Sequence, residues 1–208
     1  MIFLSENIKF PDVSKATDEG LLAIGGDLSV DRLIEAYSNG IFPWFENDEP
    51  ILWWTPDPRF VLFPDKLIVS KSMRKLLKKG IFEVTYNNAF DKVIYECSKI
   101  ERTGQGSSWI TGSMINAYCE MHDQGFAKSV EVWKDRQLVA GLYGIDLGNN
   151  VFSGESMFTK ISNASKFGFI TFVIENDYRL IDCQVYTRHL ESLGAEMLPR
   201  DQFLDYLK

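Results

Sequence analysis

Two carboxylates and an amide stand in stretches that otherwise read as β-strand. In Leu180-Ile-Asp-Cys-Gln-Val-Tyr186 a period of two puts Asp182 and Gln184 on one face and Ile181, Cys183 and Val185 on the other. Asp is depleted in strand interiors, and a carboxylate out of water is costly unless it is paired. The pair is therefore either functional or the wet face of an edge strand. Cys183, on the apolar side, reads as a small buried hydrophobe. In Val151-Phe-Ser-Gly-Glu-Ser-Met-Phe158, Ser153, Glu155 and Met157 share a face, and Gly154 marks a bulge or a close backbone approach. One acid in an apolar strand suits a cation, an amine or a structural salt bridge.

Other chemistries lack material. Cys97, Cys119 and Cys183 are an odd number without C-x-x-C spacing, and His122 and His189 are the only histidines, so neither disulfides nor a zinc site is expected. Two histidines also leave little for a Ser-His-Asp site. Trp44, Trp53, Trp54 and Trp109, with Phe42 and Phe45, form either a stacking platform for a base or part of the core.

Charge is unevenly placed. The chain of 208 residues carries a net −7, yet Lys66, Lys71, Arg74, Lys75, Lys78 and Lys79 give the window 66–79 a charge of +6. The other 16 basic residues face 29 acidic ones, so the remainder carries −13. Ser70 caps a helix over 71–79 that Gly80 stops, with Met73, Leu76 and Leu77 buried and Lys71, Arg74, Lys75 and Lys78 opposite. Such a helix is a solvated face or a grip on phosphates.

The elements that must position these residues follow from turn and periodicity signals. The first 62 residues, rich in Gly, Pro and Trp, are expected to hold one helix over 30–39 and mostly ordered loop. They form a small N-terminal domain, with a second domain over 63–208. Beyond the basic helix come a strand at 82–86, a helix at 89–100, a Gly/Ser loop at 103–108 and a helix at 114–124. Strands at 129–134, 138–145 and 151–157, a helix at 164–176, a strand at 180–186 and a helix at 201–208 complete the chain. This βααβββαβ order is that of the GNAT acyltransferases and predicts an α/β (mixed α+β) fold, a GNAT-like domain with a mixed central sheet. Residues 158–166 lack the glycines of an acyl-CoA pyrophosphate loop, so an acyl-CoA donor is not expected. No apolar run approaches the ~20 residues of a membrane helix, and the N-terminus lacks a basic leader, so a cytoplasmic protein is expected.

Taken together the motifs closely resemble the leucyl/phenylalanyl-tRNA–protein transferase family. The resemblance is carried by Gly20-Leu-Leu-Ala-Ile-Gly-Gly-Asp-Leu-Ser29, Gly40-Ile-Phe-Pro-Trp-Phe45, Ile51-Leu-Trp-Trp-Thr-Pro-Asp-Pro-Arg59 and Trp109-Ile-Thr111. It continues through Ser129-Val-Glu-Val-Trp133, Gly141-Leu-Tyr-Gly144, Gly154-Glu-Ser-Met-Phe158, Asn163-Ala-Ser-Lys166, Ile181-Asp-Cys-Gln184 and His189-Leu-Glu-Ser-Leu-Gly194. It implies an enzyme that moves Leu or Phe, and less well Met, from aminoacyl-tRNA to a protein with N-terminal Lys or Arg. The product is a degradation signal, and the family needs no nucleotide, metal or acyl-CoA.

Position by position, the resemblance implies that Trp44 and Trp109 hold the terminal adenosine and that Glu155 is the acid at the aminoacyl site. Asp182 and Gln184 match the pair implicated in peptide-bond formation. Leu142, Phe152, Met157 and the neighbourhood of Phe169 match the apolar side-chain pocket. The basic helix, with Lys71, Arg74, Lys75, Lys78 and Lys79, matches the surface that grips the acceptor stem. The family commonly has Met at Leu142, which retunes the preference among Leu, Phe and Met, and many members continue past Lys208. Asp182 is either a general base acting directly or through Gln184, or an anchor for the cationic acceptor while the ribose hydroxyl of the tRNA shuttles the proton. Other readings are a silent tRNA-binding module, an acetyl-CoA acetyltransferase and a Fem-type transferase.

Overall fold

The computed structural model describes residues 2–46, 49–100 and 109–208, so the expected loop at 103–108 lies outside the described residues. The Gly-, Pro- and Trp-rich start is not mostly loop. Strands β1 (Phe3–Leu4), β2 (Leu21–Gly25), β3 (Phe42–Pro43) and β4 (Leu52–Trp54) form a four-stranded sheet in the order β1-β2-β4-β3. These strands of two to five residues are too short to display a period of two. Pro43 is tolerated because β3 is an edge strand. Helix α1 (Val30–Ser38) lies where expected and buries Val30, Leu33, Ala36 and Tyr37. Gly40 then turns left-handed at φ +71°, and a Cβ there would run into Leu204 and Phe203 from the end of the chain.

Strand β5 (Arg59–Leu62) leaves this sheet and enters a second one. Ser70 Oγ accepts the Met73 amide and caps α2 (Lys71–Leu77), which ends two residues before Lys79. Then follow β6 (Glu83–Tyr86), α3 (Phe90–Ser98), α4 (Gly112–Asp123), β7 (Ala127–Lys134), β8 (Gln137–Asp146), β9 (Val151–Thr159), α5 (Ala164–Glu175) and β10 (Leu180–Gln184). The βααβββαβ order and the mixed α/β class hold. A four-residue helix, α6 (Arg188–Glu191), and strand β11 (Glu196–Leu198) occupy what reads in sequence as a turn, before α7 (Arg200–Leu207).

The second sheet has the order β11-β5-β10-β9-β8-β7-β6, and its β9–β10 pair is parallel while the other pairs are antiparallel. One face packs on α3 and α4 through Val93, Tyr118 and Tyr143 in a core continuous with the N-terminal sheet. The other packs on α5 and α2 through Val132, Leu142, Phe169 and Met73. The β5 strand thus carries the N-terminal residues to the side of β10. Among the described residues no helix is long and apolar enough to cross a membrane.

The β8–β9 contact is tight at Gly144, where a Cβ would strike the Ser153 carbonyl oxygen and the Phe152 ring. Gly144→Ala is expected to lower stability by about 1–3 kcal/mol, the usual cost of overpacking. Gly112→Ala, at the open first turn of α4, is expected to be neutral or slightly stabilising. Urea denaturation of both variants checks the pair, and equal losses would contradict the packing described.

Candidate active site

The site begins where β10 stops being regular. Its pairing with β5 slips between Asp182 and Gln184, and Gln184 takes φ +62°, the left-handed region that a side chain of this kind seldom enters. Two bonds hold it there. The Gln184 amide donates to Asp182 Oδ1 at 2.9 Å, and Gln184 Nε2 donates to Glu155 Oε1 at 2.6 Å. The geometry joins the three polar residues singled out in the sequence.

Asp182 is not on an edge strand with a wet face. β10 lies between β5 and β9, and Asp182 is 1% exposed. Its carboxylate is paired on both oxygens by Arg59, with Nε to Oδ1 at 2.8 Å and Nη2 to Oδ2 at 2.7 Å. Arg59 Nη1 donates to the Gly40 carbonyl at 3.1 Å, and its guanidinium lies 4.7 Å from the Phe42 ring and 4.8 Å from the Phe203 ring. Such a fork-to-fork bond is strong and directional. Sequence reasoning alone does not single out Arg59 as the partner of Asp182; its one signal is an arginine inside the Trp-Pro-Asp-Pro-rich motif.

Glu155 owes its direction to a β-bulge. Tyr143 pairs with Ser156 and Gly144 with Gly154, which leaves Glu155 as the extra residue. The bulge breaks the expected shared face. Met157 packs toward α5, whereas Glu155 Oε2 accepts the Tyr118 hydroxyl of α4 at 3.1 Å. Tyr118 in turn lies 2.5 Å from the hydroxyl of Tyr37 in α1. Among the described residues no ion pair forms at Glu155, so the expected alternative of a structural salt bridge is not realised. Burial pushes its carboxyl up to about 7, against the pull of the Tyr37 and Tyr118 hydroxyls and the Gln184 side chain.

Glu155, Asp182 and Gln184 line one cavity of about 540 Å³. Trp44, Trp109, Leu142, Phe152, Met157 and Phe169 line it too, so every expected small-molecule contact residue meets the polar trio. Trp109 is buried and Trp44 half-buried, while Trp53 is core, its Nε1 donating to the Gly25 carbonyl. Cys183 lies in the wall with its thiol pushed far up by burial, which leaves it no nucleophile. His122 stacks on Phe90 away from the cavity, and no group of three potential metal ligands occurs among the described residues. Lys71, Arg74, Lys75, Lys78 and Lys79 are exposed on α2 and the turn after it, outside the cavity.

Comparison with known proteins decides the family. A family model described as leucyl/phenylalanyl-tRNA protein transferase matches residues 61–208, and one for its N-terminal domain matches residues 26–57. The chain belongs to this family. It is 59% identical to the leucyl/phenylalanyl-tRNA–protein transferase of Flavobacterium johnsoniae over 100% of this chain and 99% of that one. It is 54% identical to that of Flavobacterium psychrophilum over the whole of both chains. To the Pectobacterium carotovorum protein it is 52% identical, over 98% of this chain and 87% of that one. Among solved structures it is similar to a GCN5-related N-acetyltransferase from Kribbella flavida, at 11% identity and TM-score 0.41 over 77% of this chain and 57% of that chain. Membership makes the chain an aminoacyltransferase.

Because Asp182 is buried, removing its partner strands a charge. Arg59→Met is expected to cost about 3–5 kcal/mol of stability. Adding Asp182→Asn to Arg59→Met is expected to recover part of that loss, since the lone buried charge is gone. Urea denaturation of the single and double variants decides, and a double variant no more stable than Arg59→Met would count against a charge-pairing role.

Proposed function

We propose that the protein transfers Leu or Phe, and less well Met, from aminoacyl-tRNA to the N-terminal Lys or Arg of acceptor proteins, forming a peptide bond and creating a degradation signal. The observation that carries this reading is one cavity lined by Trp44 and Trp109, by an apolar wall and by the Glu155–Gln184–Asp182 cluster. The tryptophans suit a stacked adenine, and Leu142, Met157, Phe152 and Phe169 suit an unbranched apolar side chain. The exposed lysines and Arg74 on and after α2 suit the phosphates of the acceptor stem.

The donor ester is already activated, so holding ester and amine together in a dry pocket supplies about 7–11 kcal/mol of the barrier reduction. A peptide α-amine titrates near ~8, so a useful fraction is neutral at neutral pH. The amine nitrogen attacks the ester carbonyl carbon, the carbon–oxygen bond to the ribose breaks, and the one proton lost by the amine is matched by the one the departing ribose oxygen takes up. Asp182, with both oxygens given to Arg59 and one shared with the Gln184 amide, acts as the part that holds Gln184 in place. Gln184 commits Nε2 to Glu155 and so has its carbonyl oxygen to offer the amine. A carboxylate committed to Arg59 and the Gln184 amide argues against both the general-base role and the acceptor-anchor role for Asp182.

Transfer of labelled Leu and Phe from charged tRNA to peptides beginning with Lys, Arg, Asp or Ala, without ATP or CoA, tests the function. Incorporation at Lys and Arg alone is expected; tRNA binding with no transfer would leave only a binding module. Lys75→Ala and Lys78→Ala are each expected to weaken tRNA binding and to reduce the slope of log affinity against log salt by about 1. Unchanged slopes in filter-binding titrations would remove α2 from the tRNA surface.

A further inference from the structure

Glu155 sits at the end of a buried chain of hydroxyl groups that the transfer chemistry described above does not use. Tyr118 is fully buried and Tyr37 is 3% exposed. The Tyr118 hydroxyl has one proton and gives it to Glu155 Oε2 at 3.1 Å, so the 2.5 Å contact with Tyr37 is filled by the Tyr37 proton. The two phenols donate in the same sense, toward the carboxylate, and polarise one another. On its other oxygen Glu155 accepts Gln184 Nε2 at 2.6 Å. A carboxylate is thus held at the cavity wall by two direct neutral donors, Tyr118 of α4 and Gln184 of β10, with Tyr37 of α1 behind Tyr118. It directly adjoins the residue offered to the incoming amine.

Among the described residues no cation pairs with Glu155. Around it stand Tyr37 from α1, Tyr118 from α4, and Gln184 from β10. Asp182, the one carboxylate of β10, is paired with Arg59 of β5, and the Tyr118 ring packs edge-on with that of Tyr143 of β8 at 5.6 Å. Burial keeps both phenols protonated, pushing them well above 10, so they remain donors across the working pH range.

We propose that Tyr118, backed by Tyr37, is a positioning residue that holds Glu155 ready to take the proton of the attacking amine and to pass it to the departing ribose oxygen. The step balances. The nitrogen–carbon bond forms as the amine proton moves to a Glu155 oxygen, then the ester carbon–oxygen bond breaks and that proton ends on the ribose hydroxyl. Glu155 returns to its starting form with no other reactant needed. This division of labour leaves Asp182 and Arg59 as scaffold and makes Glu155 the group whose protonation changes. Its carboxyl, raised to about 7 by burial, is matched to that task.

The inference rests on the transferase reading, and the test keeps the two apart. Single-turnover transfer of Phe from tRNA to one Lys-initiated peptide is measured from pH 5.5 to 8.5 for the wild type, Tyr118→Phe, Tyr37→Phe and Glu155→Gln. Removing a donor to the ionised form raises the carboxyl further, so the rising limb near neutral pH is expected to move up by roughly half a unit to one unit in Tyr118→Phe. A smaller shift in the same direction is expected in Tyr37→Phe. The limb set by the peptide amine stays where it is in all four proteins. Glu155→Gln is expected to lose the neutral limb altogether, with KM for aminoacyl-tRNA little changed in the two Tyr variants. A uniform loss of rate at every pH, or a limb that persists in Glu155→Gln, overturns the proposal while leaving the transferase reading intact. No transfer by the wild type fails the transferase reading instead.

Discussion

Everything in the cavity hangs on the ion pair between Arg59 and Asp182. Both are 1% exposed, and both carboxylate oxygens are taken by one guanidinium. Removing either partner leaves a charge in the interior, so the pair is a constraint that the rest of the chain has to satisfy. It fixes β5 beside β10. In doing so it brings the strand that follows the Trp-Pro-rich segment to the irregular end of β10, with the Gly40 carbonyl and two aromatic rings closing around the guanidinium. Gln184 is then pinned in a backbone conformation it would not choose, its amide on Asp182 and its side chain on Glu155.

The two carboxylates of the cavity are therefore unlike in kind. Asp182 is matched by a permanent cation, whereas Glu155 is matched by neutral phenols and an amide. A low-dielectric setting with neutral donors leaves Glu155 free to change state, and the bulge in β9 turns it toward α4 and α1 and away from the apolar wall. Placing acids of different environment side by side is the usual way proteins separate a holding role from a proton-moving one. The N-terminal segment is part of this arrangement through Tyr37 and Trp44 as well as Arg59.

Much of this is legible in the amino-acid sequence. Helices at 30–38, 71–77 and 112–123 carry caps and glycine stops in the sequence, and the β7–β8 turn at Asp135 and Arg136 stands out as a charged dipeptide between two alternating runs. Gly154 signals a bulge or a close backbone approach, and the bulge is what forms, but the glycine does not give the direction in which Glu155 points. The N-terminal sheet was hidden because strands of two to five residues among prolines show no alternation. Arg59 was hidden because its partner is 123 positions away, and a lone arginine after Pro-Asp-Pro reads as surface. The same holds for Tyr37 and Tyr118, which look like ordinary members of apolar helix faces until the fold sets their hydroxyls together. Residue types at a site are legible, but partners supplied by distant strands are a product of topology.

The most direct measurement is a crystal structure with an amide-linked, non-hydrolysable phenylalanyl-adenosine bound. The expected result is an adenine against Trp44 and Trp109, a phenyl ring among Leu142, Met157 and Phe169, and the amide carbonyl beside Gln184 and Glu155. The Arg59–Asp182 pair stays bidentate in that complex. An Asp182 carboxylate that leaves Arg59 to contact the ligand, or an adenosine bound outside this cavity, would contradict the division between a locked Asp182 and a working Glu155.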